Sequence, residues 1–236
     1  MFEFFEKKYS LTYLIRDTIF ISYPKSGRTW LRMTIAKALE LADYKPKEYE
    51  FLPFLHKIPD QVIEQFGKDI KVIFLHRHPA DSTLSFYHEK TTSGRSGPQM
   101  QSSLSDFFAS KEYGIDVNIN FNNAWATHLE LFPDFLRISY EDMHKDMNTV
   151  VNSIFDFTNF DISKEIVKQA VEYSSFENMK KIENSGEGNL LSSHKGNFGQ
   201  GSGRVRSGKV GSYLQELEED QVRVIQQKMK KSLLYT

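Results

Sequence analysis

The amino-acid sequence predicts a single α/β domain in which helices flank a central parallel β-sheet. With 236 residues, the chain is long enough for one sizeable domain over 1–236 and too short for two large ones. Three short apolar segments, rich in β-branched and aromatic residues, alternate with segments whose apolar residues recur every three or four positions. Strands that alternate with helices favour a parallel sheet with helices on both faces.

Each predicted strand is followed along the chain by a predicted helix. The strands are predicted at 18–23, 70–76 and 135–140. The helices are predicted at 29–41, 79–90, 104–110, 122–131, 144–157, 164–171 and 216–231. Pro79 favours a helix start, because its fixed backbone angle suits the first helical position.

Two segments rich in Gly and Ser, 91–103 and 184–209, interrupt this alternation. Their composition is typical of mobile loops. They are either tolerated surface insertions or lids that close over a ligand.

The composition narrows the range of functions. The 30 basic and 31 acidic residues give a net charge of −1, which argues against binding nucleic acid or acidic membranes. The chain has no cysteine, which excludes disulfides, thiolate metal sites and a Cys nucleophile. Apolar runs such as 72–75 are far shorter than the roughly 20 residues that span a bilayer, and Glu3 and Glu6 interrupt the N-terminal aromatic residues. We therefore expect a cytoplasmic enzyme with no stable membrane insertion.

The segment at 23–30, YPKSGRTW, joins the first predicted strand to the first predicted helix. A helix N-terminus presents unpaired N–H groups and a partial positive charge to an anion. Gly27 lets the backbone approach the ligand, and Lys25 adds a full charge. Ser26 and Thr29 add hydroxyl donors. Because Lys precedes Gly, the loop is P-loop-like without being a Walker A loop, and the segment predicts a phosphate-binding strand–loop–helix unit.

YPKSGRTW resembles the 5′-phosphosulfate-binding loop of the sulfotransferases that use 3′-phosphoadenylyl sulfate (PAPS). The resemblance implies that residues 25–30 contact the donor, which adds Arg28 and Trp30 to the residues above. Many relatives have Thr at the position of Arg28. Its side chain contacts the sulfate or an acidic acceptor, or it points to solvent.

A second segment, RHPADSTLSFYH at 77–88, is similar to the 3′-phosphate-binding motif of the same family. In that motif an Arg at a strand end and a Ser eight residues later bind the 3′-phosphate, and Arg77 and Ser85 have this spacing. The planar guanidinium suits a phosphate. The resemblance also implies that Ser85 interacts with Lys25, and this adds Ser85 to the catalytic residues.

Two segments resemble the adenine-binding motifs of the family. Tyr140 begins YEDM, whose Tyr contributes to the adenine site. Ser174 and Phe176 belong to SSF, where the family has Thr-Ser-Phe, and the resemblance implies that the hydroxyl and the ring frame the adenine.

A last segment, RSGKVGSY at 206–213, fits the family pattern Arg-x-Gly-x-x-Gly-x-Trp except for Tyr213 at the last position. The resemblance implies that Arg206 and the Gly208 amide contact the 3′-phosphate, with Ser207 between them. The motifs follow one another in the order of the family and extend from residue 23 to residue 213.

His56 is the candidate general base. His titrates near neutral pH and is a common proton acceptor in catalysis. His56 lies 21 residues before Arg77, a spacing similar to that of the family's catalytic His, although Phe54 and Leu55 replace the usual Lys-Thr pair. A lone His is alternatively a structural or solvated residue.

The resemblance implies transfer of the sulfuryl group of PAPS to a hydroxyl group of a small-molecule, lipid or glycan acceptor, with 3′-phosphoadenosine 5′-phosphate (PAP) as product. In-line transfer requires the developing charge on the leaving group to be neutralised, and Lys25 is the candidate for this, so no metal is required. A P-loop-type nucleotide or nucleoside kinase and a non-catalytic nucleotide-binding module are the alternatives. The oligomeric state stays open, because the dimerisation motif of the family is not evident at 215–236.

Overall fold

A computed structural model of the chain describes residues 18–44, 54–93, 99–185 and 205–234. Most of the two predicted mobile loops, residues 94–98 and 186–204, lies outside the described residues, and their mobility stays a prediction. The strands are β1 (Thr18–Ser22), β2 (Phe54–Leu55), β3 (Lys71–His76) and β4 (Phe135–Ser139). The helices are α1 (Arg28–Leu41), α2 (Pro59–Phe66), α3 (Pro79–His88), α4 (Leu104–Ala109), α5 (Ile115–His128), α6 (Tyr140–Phe157), α7 (Lys164–Tyr173), α8 (Phe176–Ser185), α9 (Tyr213–Glu216) and α10 (Glu219–Met229).

The strands form one parallel sheet in the order β2-β1-β3-β4. The chain passes from β1 to β2 on one side and then returns to β3 on the other side of β1. This reversal creates a crevice at the carboxyl ends of β1 and β3, which is where ligands bind in open α/β sheets. Ser22 pairs with Leu75 in this register, so the segments that follow β1 and β3 begin side by side.

Side chains that alternate along the strands supply two separate cores. One core joins Phe20, Ile73 and Leu75 to helices α1, α6 and α7. The other joins Ile21 and Phe74, on the opposite face, to α2 and α5. The parallel sheet with helices on both faces is therefore confirmed.

Several elements differ from those that the sequence predicts. The two-residue strand β2 and the helices α2 and α8 were not predicted, and α5 begins at Ile115 rather than at 122. Helix α6 begins at Tyr140 rather than near 144, because Ser139 caps it: the Ser139 hydroxyl accepts the Asp142 N–H at 2.9 Å, and the Asp142 carboxylate accepts the Ser139 N–H at 3.2 Å.

Candidate active site

The loop between β1 and α1 has the backbone geometry of an anion-binding turn. Lys25 and Gly27 both have positive φ, 69° and 98°, and Gly27 is the N-cap of α1. No side chain caps α1, and its first turn contains no acidic residue. The N-terminal N–H groups of α1 therefore face the crevice and favour an anion there.

The ring of Tyr140 packs directly against Gly27. A Cβ added at Gly27 would lie 2.5 Å from Tyr140 Cδ2, which no real side chain tolerates. Both the positive φ and this contact require glycine at position 27. A residue of the predicted adenine site thus contacts the phosphate loop through the one residue that has no side chain.

Arg77, which follows β3, joins two parts of the site by hydrogen bonds. Its Nη1 donates to the Lys25 carbonyl oxygen at 3.2 Å, and its Nη2 donates to the Lys209 carbonyl oxygen at 3.0 Å. The guanidinium lies over the Tyr140 ring, 4.0 Å from the ring centroid. The predicted 3′-phosphate residue is thereby fixed between the phosphate loop and the segment that follows residue 205.

Segment 205–213 is attached to helix α3 by a buried carboxylate. Asp81 accepts the Gly211 N–H at 2.6 Å and the Tyr213 N–H at 3.2 Å. At the same segment Gly208 has φ 61°, and an added Cβ would lie 2.5 Å from Phe176. These contacts bring the predicted residues of this segment to the rest of the site.

Arg206 belongs to an ion-pair network with Glu216, which the sequence did not indicate. Arg206 Nη1 lies 2.9 Å from one Glu216 carboxylate oxygen, and His88 Nε2 lies 2.6 Å from the other. Partial burial raises the pKa of Glu216, but the contacts with His88 and Arg206 together hold this pKa below its ordinary value.

Lys25 contacts Glu89, a second residue that the sequence did not indicate. Lys25 Nζ lies 2.7 Å from Glu89 Oε2, and the exposed fractions of the two side chains are 15% and 9%. The available signal was the spacing, because Glu89 follows Ser85 by four residues and a helix places such residues on one face.

His56 is held in one tautomer by the end of β1. Its Nδ1 lies 2.6 Å from the Ser22 carbonyl oxygen. Because a carbonyl only accepts, Nδ1 carries the hydrogen, and Nε2 of the neutral ring is left as the proton acceptor. The ring is exposed to the crevice, yet the protein around it lowers the pKa of His56 to about 4, first by desolvation and then through Arg28, against the opposing effect of the Ser22 bond and Glu89.

These elements surround one cavity of about 790 Å³, called here the site cavity. The predicted site residues that line it are Lys25, Gly27, Arg28, Thr29, Trp30, His56, Arg77, Ser85, Tyr140, Phe176, Arg206, Ser207 and Gly208. Ser26 and Ser174 are not among the lining residues. Ser26 is buried beneath the loop, and Ser174 is buried against Thr34, with 2.6 Å between their hydroxyl oxygens.

His144 is a further lining residue that the sequence did not indicate. Its ring makes edge contacts with Trp30 at 5.0 Å and with Tyr140 at 4.7 Å between centroids. Partial desolvation and the nearby Arg77 lower the pKa of His144, while Asp81 opposes this effect. Phe176 also lines the cavity, and together these rings form an apolar wall that suits a flat aromatic base.

Neither a metal-ligating cluster nor a membrane-crossing helix occurs in the described part of the chain. Within 18–44, 54–93, 99–185 and 205–234, no three His, Asp or Glu side chains are placed to hold a metal ion. No helix in that part of the chain has the length and apolar character to cross a membrane.

Comparison with known proteins places this geometry in a family. The family described as "Sulfotransferase domain" matches residues 15–235. An amine sulfotransferase of Oryctolagus cuniculus is 26% identical over 91% of this chain and 81% of the relative. Sulfotransferase 6B1 of Danio rerio is 27% identical over 87% of this chain and 74% of the relative.

Solved structures share the fold. Mouse sulfotransferase SULT7A1 complexed with PAP superposes with a TM-score of 0.67 at 22% identity, covering 94% of this chain and 87% of that one. Retinol dehydratase in a complex with retinol and PAP gives a TM-score of 0.65 at 18% identity, covering 94% and 82%.

Proposed function

We propose that Lys25 and His56 carry the catalytic step of this protein. The chain belongs to the sulfotransferase domain family and is therefore a PAPS-dependent sulfotransferase. The donor supplies a sulfuryl group, and its transfer requires an aligned acceptor oxygen and a neutralised leaving phosphate. Lys25 supplies the positive charge at the leaving group. His56 accepts the proton of the acceptor hydroxyl.

One observation carries this assignment: the end of β1 positions both residues. Ser22, the last residue of β1, fixes the His56 ring through its carbonyl oxygen. The phosphate loop with Lys25 begins immediately after it. A base and a cation held by the same strand end have a constant relation to each other, and such preorganisation is what transfer between two bound substrates demands.

The remaining lining residues support binding of the donor. Arg77, Arg206 and Ser85 offer charge and a hydroxyl for the 3′-phosphate, while the Gly208 and Ser207 backbone lies beside them. The donor residues proposed at the 5′ end and around the adenine are Ser26, Gly27, Arg28, Thr29, Trp30, Tyr140, Ser174 and Phe176. The buried position of Ser174 makes its contribution indirect, through the packing of α1 against α7.

For the acceptor we propose a hydroxyl group of a small molecule. Relatives include a luciferin sulfotransferase of Photinus pyralis and a 3-beta-hydroxysteroid sulfotransferase of Cavia porcellus. Besides His56, the site cavity is lined by Phe86 and by the charged residues Arg28 and Lys90, which suits an acceptor with an apolar body and polar groups. A screen of small-molecule, lipid and glycan hydroxyls with PAPS, with sulfated products identified by mass, distinguishes these classes. Location in the cytoplasm stays a prediction, and the oligomeric state stays open.

The test of the catalytic assignment is the variant His56→Ala. Loss of a general base lowers kcat by about 10²–10⁴-fold, while PAP affinity measured by calorimetry stays within a few-fold of the wild type. His128→Ala, which removes a histidine from the far end of α5, serves as the matched control and retains activity. Wild-type turnover in His56→Ala contradicts the assignment. Absence of any sulfated product with the wild type across the screen contradicts catalysis and favours a nucleotide-binding module.

A further inference from the structure

Glu89 is a carboxylate in the wall of the cavity that binds an anionic donor. It begins a π-helical turn, Glu89–Ser93, that continues helix α3. Together with Ser85, Phe86 and Lys90 it lines the site cavity, so four residues of one helical face border the cavity. π-helical turns are frequent at functional sites. A nearly buried negative charge is costly unless a cation compensates it, and Lys25 is that cation here.

We propose that Glu89 is a positioning residue of the sulfuryl-transfer reaction, which holds the Lys25 ammonium at the phosphate loop and stabilises the positive charge that forms on His56. The proposal rests on the roles assigned above to Lys25 and His56.

The first part of the proposal follows from the ion pair. The 2.7 Å contact joins two side chains that are mostly shielded from water, where the attraction between opposite charges is stronger than at the surface. Arg77 fixes the same residue from the other side, through the Lys25 carbonyl oxygen. Backbone and ammonium of Lys25 are thus restrained separately, and the flexible side chain loses little further freedom when the leaving group forms.

The second part follows from the charges that face His56. Arg28 opposes a positive charge on the ring, and Glu89 favours one. Lys25 and Lys90 line the same cavity and add positive charge to it. When His56 takes the acceptor proton, the new imidazolium therefore depends on Glu89 for compensation. A base whose protonated form is stabilised is a stronger base.

The variant Glu89→Gln separates these effects from simple structural support. The amide still accepts a hydrogen bond from Lys25 but carries no charge. We expect kcat to fall by about tenfold or more, while the KM for PAPS falls by about threefold because a repelling carboxylate has left the anion site. The acidic limb of the kcat profile moves to lower pH, since His56 loses the charge that raises its pKa.

Two further variants complete the experiment. Glu89→Asp keeps the charge, and we expect its acidic limb to lie closer to that of the wild type than the limb of Glu89→Gln does. Glu40→Gln removes an exposed carboxylate that is ion-paired to Lys37 at 3.0 Å on α1, outside the cavity lining, and we expect wild-type kinetics. Thermal unfolding of each variant verifies that it is folded.

Three results would overturn the proposal. In the first, Glu89→Gln is folded and shows the kcat, the KM and the acidic limb of the wild type. In the second, kcat and KM change but the acidic limb stays the same in all variants. In the third, Glu89→Gln removes the limb altogether while His56→Ala keeps it, which makes Glu89 the base. Full activity of Lys25→Ala and His56→Ala contradicts the proposed function itself, and is therefore distinguishable from a failure confined to Glu89.

Discussion

The protonation state of a single ring, His56, sets the expected response of the activity to pH. Its pKa of about 4 leaves the ring neutral, and so able to accept a proton, at any pH well above that value. We expect kcat/KM, which reports the free enzyme, to fall only as the pH drops towards 4. The kcat limb lies higher, because the anionic charge of the bound donor stabilises the imidazolium. Brief assays between pH 3.5 and 8 measure both profiles, and a kcat/KM limb near the ordinary histidine value would contradict the lowered pKa of His56.

Gly27 shows how one backbone position serves both stability and binding. In Gly27→Ala the new methyl group combines a strained φ with a clash against Tyr140, and we expect a loss of about 1–3 kcal/mol in the free energy of unfolding. PAP affinity falls as well, since Tyr140 lines the cavity. Denaturant unfolding and calorimetry measure the two effects.

The matched control is Gly67→Ala at the end of α2. Gly67 also has positive φ, 80°, but an added Cβ meets nothing within 4 Å. This variant is expected to lose a similar amount of stability through backbone strain while its PAP affinity stays unchanged. Equal loss of PAP affinity in both variants would mean that the loop responds to global stability and not to the contact with Tyr140.

Among the elements, α6 contributes two rings to the apolar wall of the site cavity, because Tyr140 and His144 lie in its first turns. We expect Ser139→Ala, which removes the N-cap, to lower the free energy of unfolding by about 1 kcal/mol and to weaken PAP binding. Ser163→Ala is the control: its hydroxyl caps α7 by accepting the Ile166 N–H at 3.3 Å, outside the cavity lining. A similar loss of stability without weaker PAP binding is expected there, and identical binding in the two variants would contradict a positioning role for the cap.

The strands and helices differ in how clearly the sequence indicates them. β1 and β3 were predicted because each contains a continuous apolar run with a turn residue after it, and β4 because its apolar residues flank Arg137 and precede the cap Ser139. β2 has two residues and no pattern of its own, and it forms by pairing with Phe20 and Ile21 of β1. The start of α6 was placed too late, because Tyr140 was included in the preceding strand although Ser139 and Asp142 already formed a capping pair.

The candidate site likewise contains residues that the sequence indicates and residues that it does not. Lys25, Arg77 and Arg206 are found by motifs that have a fixed order along the chain. Glu89 and Glu216 pair with Lys25 and Arg206 over 64 and 10 positions. The spacing from Ser85 puts Glu89 on the same helix face, but no motif pairs either carboxylate with its partner. Motifs therefore locate the residues proposed to bind the donor, while their ion-pair partners are identified by the folded structure.

In the whole molecule, the reversal of strand order next to β1 brings the phosphate loop and Arg77 to one crevice. The sequence predicts a parallel sheet but not this order, because neighbour choice depends on pairings such as Ser22 with Leu75 across more than fifty residues. The same edge of the sheet also partly shields histidines from water: His76 ends β3, and the pKa values of both His76 and His56 lie near 4.

This burial predicts that the stability of the whole molecule depends on pH. His76 stays neutral in the folded protein down to about pH 4, chiefly by desolvation, while the unfolded chain binds the proton near pH 6.5. Between these values the unfolded state holds more protons, so the free energy of unfolding falls as the pH falls, by up to about 1.4 kcal/mol per pH unit for this one group. Denaturant unfolding at pH 7, 6 and 5 measures the slope. His76→Gln is expected to have a shallower slope than the wild type, whereas an equal slope in the two proteins would show that His76 binds its proton equally well in the folded and unfolded states.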